Sequence, residues 1–277
     1  MALVVVGIAL AGAGLVGARA ETPVVITAAG DICRSPTGPG PCRKSGNLIR
    51  TIDPTIALTL GDNQYPDGTL SAYNAAYDNA WGSFKQKTDP VPGNHEYRTA
   101  NAGGYRAYFG VAGPTWYSYD VGAWHLIALD SNCTKVGGCG PTSAQYAWLE
   151  ADLAADAHAC TLAYWHHPRY SSGTKHGGTT SVEPFWALLA AESAELVLNG
   201  HEHNYERFAA QRGITEFVIG TGGRLPSYPF GSPEPNSMER ISSVQGVGRF
   251  TLEPNGWAMS FVAVDGTVKD TASGVCA

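Results

Sequence analysis

The stretch Ile56-Ala57-Leu58-Thr59-Leu60-Gly61-Asp62-Asn63-Gln64-Tyr65 carries a short apolar run into a glycine turn, then sets a carboxylate and a phenol three residues apart. Such a run, bounded by turn residues, reads as a strand buried on both faces. A carboxylate at the strand end can bridge two cations, and a tyrosine three residues on can bind a hard trivalent metal as phenolate. The same punctuation recurs along the chain. Residues 24–28 precede Gly30-Asp31, residues 162–165 precede His166-His167, and residues 196–198 precede Gly200-His201. Between these runs, residues 71–86, 142–156 and 182–192 read as helices, with Tyr146, Leu149 and Leu153 at helical spacing. Strands alternating with helices predict an α/β fold that binds its ligand outside the strand C-termini.

Residues 217–219, 248–252 and 257–264 are strand-like, and the last of them ends at the turn Asp265-Gly266. Residues 34–41 and 225–236, rich in Pro, Gly and Ser, read as loops rather than hinges. With no internal repeat and no dividing linker, residues 21–277 are expected to form one domain.

At 277 residues and 44% hydrophobic content the chain can bury a substantial core. A net charge of -6 excludes a general basic field for nucleic acid or anionic lipid, so an anionic substrate requires a local positive site. Residues 1–18 form an uncharged apolar run ending in Ala18-Arg19-Ala20, the small-x-small pattern of a signal peptidase site. A signal peptide over 1–20 and export are expected, with an uncleaved anchor as the alternative because the run lacks a basic start. Six cysteines suit an oxidising compartment and allow fifteen pairings. Short loops favour Cys33 with Cys42 and Cys133 with Cys139, leaving Cys160 for Cys276. None has the CxxC spacing of a zinc ribbon.

The chemistry falls in five clusters: Gly30-Asp31, Gly61 to Tyr65, Gly93-Asn94-His95-Glu96, His166-His167-Pro168 and Gly200-His201-Glu202-His203. Oxygen and imidazole donors suit iron, manganese or zinc, and no thiolate cluster invites a softer metal. In order and spacing, GD, GDxxY, GNHE, HxP and GHxH resemble the calcineurin-like metallophosphoesterases, and within them the purple acid phosphatases. Many metallophosphoesterases carry DxH in the first cluster, whereas this chain has Asp31-Ile32-Cys33. Purple acid phosphatases supply the tyrosine of GDxxY in place of that histidine, and Tyr65 stands there.

The resemblance implies a four-layer α/β/β/α sandwich with two mixed sheets, in the manner of the small single-domain members. It implies that Asp31, Tyr65 and His203 bind Fe(III), that Asn94, His166 and His201 bind Fe(II), Zn(II) or Mn(II), and that Asp62 bridges the pair. It implies a secreted, acid phosphatase-like hydrolase in which a metal-bound hydroxide attacks a phosphomonoester in line. His95 then contacts the phosphate and protonates the leaving group. His176 lines the phosphate pocket, although the adjacent Lys175 departs from the histidine pair of plant members. Asn94, His95 and His176 are thus the substrate-binding set. The expected partner is a small phosphorylated substrate, with no nucleic acid scaffold and no stable membrane partner after signal cleavage. Two other readings stay open: a phosphodiesterase acting on cyclic nucleotides or phospholipid head groups, and a metal-binding protein without catalysis. His167 has no assigned role, and His125, His158 and Asp130 read as structural. Tyr170, Tyr205 and Arg207 read as packing or pairing residues near the site, and Cys33 as a disulfide partner.

Overall fold

The structure is a computed structural model that describes residues 22–276, so the proposed signal segment lies outside the described residues. Two mixed sheets face each other. In chain order the first sheet is built from β1 (Val24–Ala29), β2 (Ile56–Leu60), β3 (Thr88–Val91), β11 (Gly246–Glu253), β12 (Gly256–Ala263) and β13 (Val268–Val275). The second uses β4 (Tyr117–Val121), β5 (Trp124–Ala128), β6 (Cys160–Tyr164), β7 (Leu196–Asn199), β8 (Tyr205–Phe208), β9 (Thr215–Ile219) and β10 (Ser237–Ile241). Their orders are β13-β12-β11-β1-β2-β3 and β10-β8-β9-β7-β6-β5-β4.

Strand periodicity explains the layering, because successive side chains point to opposite faces. Ile26, Leu58, Leu126, Leu162, Leu196 and Phe217 point between the sheets into one shared core. The alternate residues of the same strands face outward and are also buried. Ala57 meets α1 (Cys42–Ile52) and the helical run that follows β2. Ile127, Ala163 and Val197 meet α5 (Ala144–Ala155) and α6 (Glu183–Ala191). Helices on both outer faces give the expected four-layer α/β/β/α arrangement. They also account for central strands that show no polar alternation.

Several elements differ from the sequence reading. The stretch 71–86 is not one helix. It comprises α2 (Leu70–Ala72), a π-helical turn (Tyr73–Tyr77), α3 (Asp78–Trp81) and a 3₁₀ segment (Gly82–Lys87). Tyr73, Tyr77 and Trp81, all buried, recur every four residues, a step that drifts by about 40° on an α-helix. The wider π turn brings the three rings back onto one face. Helix α1 was passed over although Cys42, Ser45, Gly46 and Ile49 share one buried face at helical spacing, and α4 (Gly103–Phe109) was hidden by its Gly103-Gly104 start. The turn at Asp265-Gly266 does not end the sheet but leads into β13, an edge strand whose exposed residues hid it. Strand β3 contains Pro90 and lies at the other edge of that sheet, where a missing N–H is tolerated.

The cysteines pair as Cys33–Cys42, Cys133–Cys139 and Cys160–Cys276. No helix among the described residues is long and apolar enough to cross a membrane.

Candidate metal centre

All five clusters follow the C-terminal ends of parallel strands, β1, β2 and β3 in the first sheet and β6 and β7 in the second. β1, β2 and β3 are mutually parallel, as are β5, β6 and β7, so their C-terminal loops converge at one rim. Backbone bonds then lock the loops together. Asp31 N donates to Gly61 O at 3.0 Å, Ile32 N to Asp62 O at 2.9 Å and Tyr65 N to Cys33 O at 2.9 Å. Three donor-bearing residues, Asp31 (φ 59), Asp62 (φ 50) and His201 (φ 71), lie in the left-handed region that side chains other than glycine rarely adopt. Strain of that kind persists where the surroundings over-determine it, most often at functional sites. Gly200 is required for close approach, since a Cβ there would stand 2.7 Å from Leu60 O and 2.8 Å from Asp31 Oδ2.

Tyr65, Asp31 and His203 form one group. The Tyr65 hydroxyl donates to Asp31 Oδ1 at 2.6 Å, and His203 Nε2 lies 3.2 Å from both atoms. Asp31 Oδ2 accepts from His201 N at 2.7 Å. Burial alone would raise the Asp31 pKa, but His203, His166 and the Tyr65 hydroxyl bring it down to about 2. Burial, reinforced by Asp31 and Asp62, pushes the Tyr65 phenol well above its ordinary value.

Asn94, His166, His201 and Asp62 form the second group. His166 Nδ1 lies 2.8 Å from the Leu60 carbonyl, which can only accept, so that nitrogen carries a proton. Its Nε2 faces Asn94 Oδ1 at 3.2 Å, Asp62 Oδ1 at 3.5 Å and His201 Nδ1 at 3.1 Å. Although burial opposes a charge on the ring, Asp62 and Asp31 outweigh it and raise the His166 pKa, favouring a proton on Nε2 where no cation is bound. Burial, followed by the neighbouring His166, holds His201 well below the usual histidine range, so its ring favours the neutral form. A cation among these atoms would take the place of the proton on His166 Nε2, with lone pairs of Asn94 Oδ1, Asp62 Oδ1, His166 Nε2 and His201 Nδ1 turned toward it. Asp62 spans the two groups, since its donor atoms gather with those of Asp31 and His166 within 4.8 Å. The residues present therefore fit two cations bound by oxygen and nitrogen.

His95 flanks this floor. Its amide donates to Asp62 Oδ1 at 2.8 Å, its Nδ1 is held by Pro66 O, and its ring lies 4.2 Å from that of Tyr65. His176 is exposed and packs at 4.2 Å against the ring of His201. Both line a cleft of ≈ 430 Å³ together with Arg34, Arg98, Lys175, Arg224 and Tyr228. His167 is half-buried beside this group: its Nδ1 and amide both bond Ser131 Oγ, its ring lies 4.4 Å from that of His201, and one of its nitrogens gathers with those of His166 and His201 within 4.8 Å. Asp130 accepts from Tyr97, Thr115 and Asn132, while Tyr205 and Arg207 share Asp270.

The sequence reading passed over two glutamates inside the motifs it singled out. Glu96 is fully buried and accepts from Gly93 N at 2.7 Å, Gln64 N at 3.1 Å and the Tyr73 hydroxyl at 3.1 Å. It thereby ties the Asn94 turn to the Asp62 loop, and burial reinforced by Asp62 pushes its pKa up to about 7. Glu202 accepts from His176 N at 2.6 Å and Gly177 N at 2.8 Å, fixing the loop that carries Lys175 and His176. Their place within GNHE and GHEH was the available signal. Of the four cationic residues of the rim only Lys175, beside His176, stood out in the sequence; Arg34, Arg98 and Arg224 had no signal, because they are scattered far apart along the chain.

Comparison with known proteins gives this geometry a family. The family model described as calcineurin-like phosphoesterase matches residues 24–205. Purple acid phosphatase 15 of Arabidopsis thaliana is 29% identical over 194 residues, covering 56% of this chain and 36% of that protein. Acid phosphatase type 7 of Homo sapiens is 30% identical over 169 residues, covering 49% and 38%. The chain spans about half or less of the length of the curated relatives it matches. Among solved structures, a purple acid phosphatase from yellow lupin (Lupinus luteus) seeds superposes with a TM-score of 0.71 at 18% identity, covering 91% of this chain and 54% of that one. GAP50, described as the anchor in the inner membrane complex of Plasmodium, reaches 0.76 at 18% identity over 92% and 89%. These two likenesses speak to fold. The chain is a purple acid phosphatase-like member of the calcineurin-like phosphoesterase family.

Proposed function

We propose that the chain is a secreted dimetal phosphatase that hydrolyses phosphomonoesters, with residues 21–277 forming its catalytic domain. The observation that carries this reading is the gathering of Asp31, Asp62, Tyr65, Asn94, His166, His201 and His203 on the floor of a cleft with a cationic rim. Asp31, Tyr65 and His203 would hold Fe(III). Asn94, His166 and His201 would hold Fe(II), Zn(II) or Mn(II), with Asp62 shared. Bound there, two cations supply Lewis-acid charge and lower the pKa of water to about 7.

The chain's own residues do the rest. Arg34, Arg98, Lys175 and Arg224 draw a phosphate dianion toward the floor of a protein that is otherwise acidic. They favour a monoester dianion over a diester monoanion by charge alone. With Nδ1 anchored on Pro66 O, a protonated His95 keeps its other N–H for the phosphate and can hand that proton to the leaving alkoxide. His176, held through its amide by Glu202, and the neighbouring Lys175 offer further contacts to the phosphate. Export is supported by three disulfides among the described residues, the pattern of an oxidising compartment.

Turnover of p-nitrophenyl phosphate and of its bis ester, measured beside elemental analysis, tests the reading. The monoester should turn over faster, and faster hydrolysis of the diester would replace this proposal with a phosphodiesterase. His95→Ala should lower kcat by about 10²- to 10⁴-fold with metal content intact. Unchanged turnover would remove His95 from the chemistry.

A further inference from the structure

At the far end of the second sheet, where β5 and β6 begin, a second cluster of metal-ligating side chains gathers. Asp120 on β4 pairs directly with His125 on β5, Asp156 follows α5, and His158 lies two residues before β6. One donor atom from each of these four lies within 4.8 Å of the others. His125 Nδ1 is 2.7 Å from Asp120 Oδ1, and His158 Nδ1 is 2.7 Å from Asp156 Oδ1 and 3.7 Å from Asp120 Oδ1. A tetrahedral zinc with bonds of about 2.0–2.2 Å separates its donors by about 3.4 Å. Two of the separations are shorter than this and one slightly longer, so small side-chain rotations that break the two short contacts would bring the four atoms to the spacing of one tetrahedral ion.

Two further observations favour a cation. The second nitrogen of His125 meets Asp152 Oδ2 at 3.0 Å, and Asp152 is itself held by the Ser118 hydroxyl at 2.6 Å. A metal-ligating histidine almost always has its other ring nitrogen held in this way, by a carboxylate outside the coordination set. The charge is also unbalanced. Asp120, Asp152 and Asp156 crowd together, and among the described residues their ion pairs are with histidine alone, with no lysine or arginine.

We propose that Asp120, His125, Asp156 and His158 bind a zinc-class divalent cation, separate from the phosphatase centre, with Asp152 orienting His125. Two imidazoles and two carboxylates suit zinc or a neighbouring transition ion rather than calcium or magnesium, which take oxygen. On binding, each ligating imidazole nitrogen that carries a proton releases it to solvent as its lone pair goes to the metal. The ion would staple the β4–β5 hairpin to the α5–β6 turn, beside the Cys160–Cys276 bridge. Its role is structural.

The test uses the holoprotein with its catalytic metals in place. After equilibration with micromolar Zn(II) and removal of free metal, zinc per chain is counted in the wild type and in His158→Ala, whose side chain is partly exposed in a loop. The wild type should hold one more zinc than His158→Ala, and zinc should raise only the wild-type thermal midpoint. Phosphatase turnover should be the same in both. Asp152→Asn should weaken zinc binding by about ten- to a hundredfold, as loss of an orienting carboxylate does elsewhere. Equal zinc content in wild type and His158→Ala would overturn the site, and so would a midpoint that zinc does not move. Such a result would leave the two imidazoles as charge partners of the aspartates.

Discussion

Tyr65 shows how one residue depends on its surroundings. Burial, Asp31 and Asp62 all oppose ionisation of the phenol, so without a cation it stays protonated and donates to Asp31. Only a strongly charged ion at that point could make it a phenolate. If the ion held there is Fe(III), as proposed, the loaded protein should show a broad visible phenolate band, and Tyr65→Phe should abolish it while far-UV circular dichroism is unchanged. A band that survives the substitution would place the chromophore elsewhere. The sequence suggested this role because the expected histidine is missing after Asp31 and a tyrosine stands three residues after Asp62. It could not show that Asp31, Asp62 and His201 would sit at positive φ, since that follows from three loops packed against one another.

At the scale of elements, the loop from Arg169 to Gly177 is organised by three acidic side chains it does not contain. Glu216 on β9 accepts from Arg169 N and Tyr170 N, Glu206 on β8 from Ser172 N, and Glu202 from His176 N and Gly177 N. Glu216 is fully buried, and burial pushes its pKa up to about 8. Because the folded value lies above the unfolded one, near 4.5, folding favours the protonated form. Its contribution is complete below about pH 4.5 and is lost as pH rises through about 8, with a limiting slope of about 1.4 kcal/mol per pH unit. The urea midpoint of the wild type should fall between pH 5 and pH 8 more steeply than that of Glu216→Gln. Equal slopes would mean that Glu216 titrates normally. Central strands were legible because they are apolar on both faces. The edge strands β10 and β13 were not, since exposure makes their composition resemble a loop.

Over the whole molecule, the Cys160–Cys276 bridge closes a separation of 116 residues and fastens the last strand of one sheet to β6 of the other, whereas Cys133–Cys139 closes only 6. Chain entropy makes the longer closure worth about 2–3 kcal/mol more. Replacing Cys160 and Cys276 by serine should accordingly lower unfolding free energy by that much more than the same change at Cys133 and Cys139. Equal losses would show that the benefit is local. The same molecular scale divides what the chain declares from what it must fold to reveal. The sequence by itself determined the α/β class, the short-loop disulfides, the five donor clusters and the tyrosine that singles out the subfamily. Each of these is written in residues close together along the chain, where apolar periodicity and turn glycines act locally. Tertiary structure alone decided how Arg34, Arg98 and Arg224 join Lys175 at one rim, which glutamates hold the loop from Arg169 to Gly177, and the meeting of His125 with His158. Those groups come from separate strands and loops, and only packing two sheets and their connections into one rim and one opposite corner brings their charges within reach of each other.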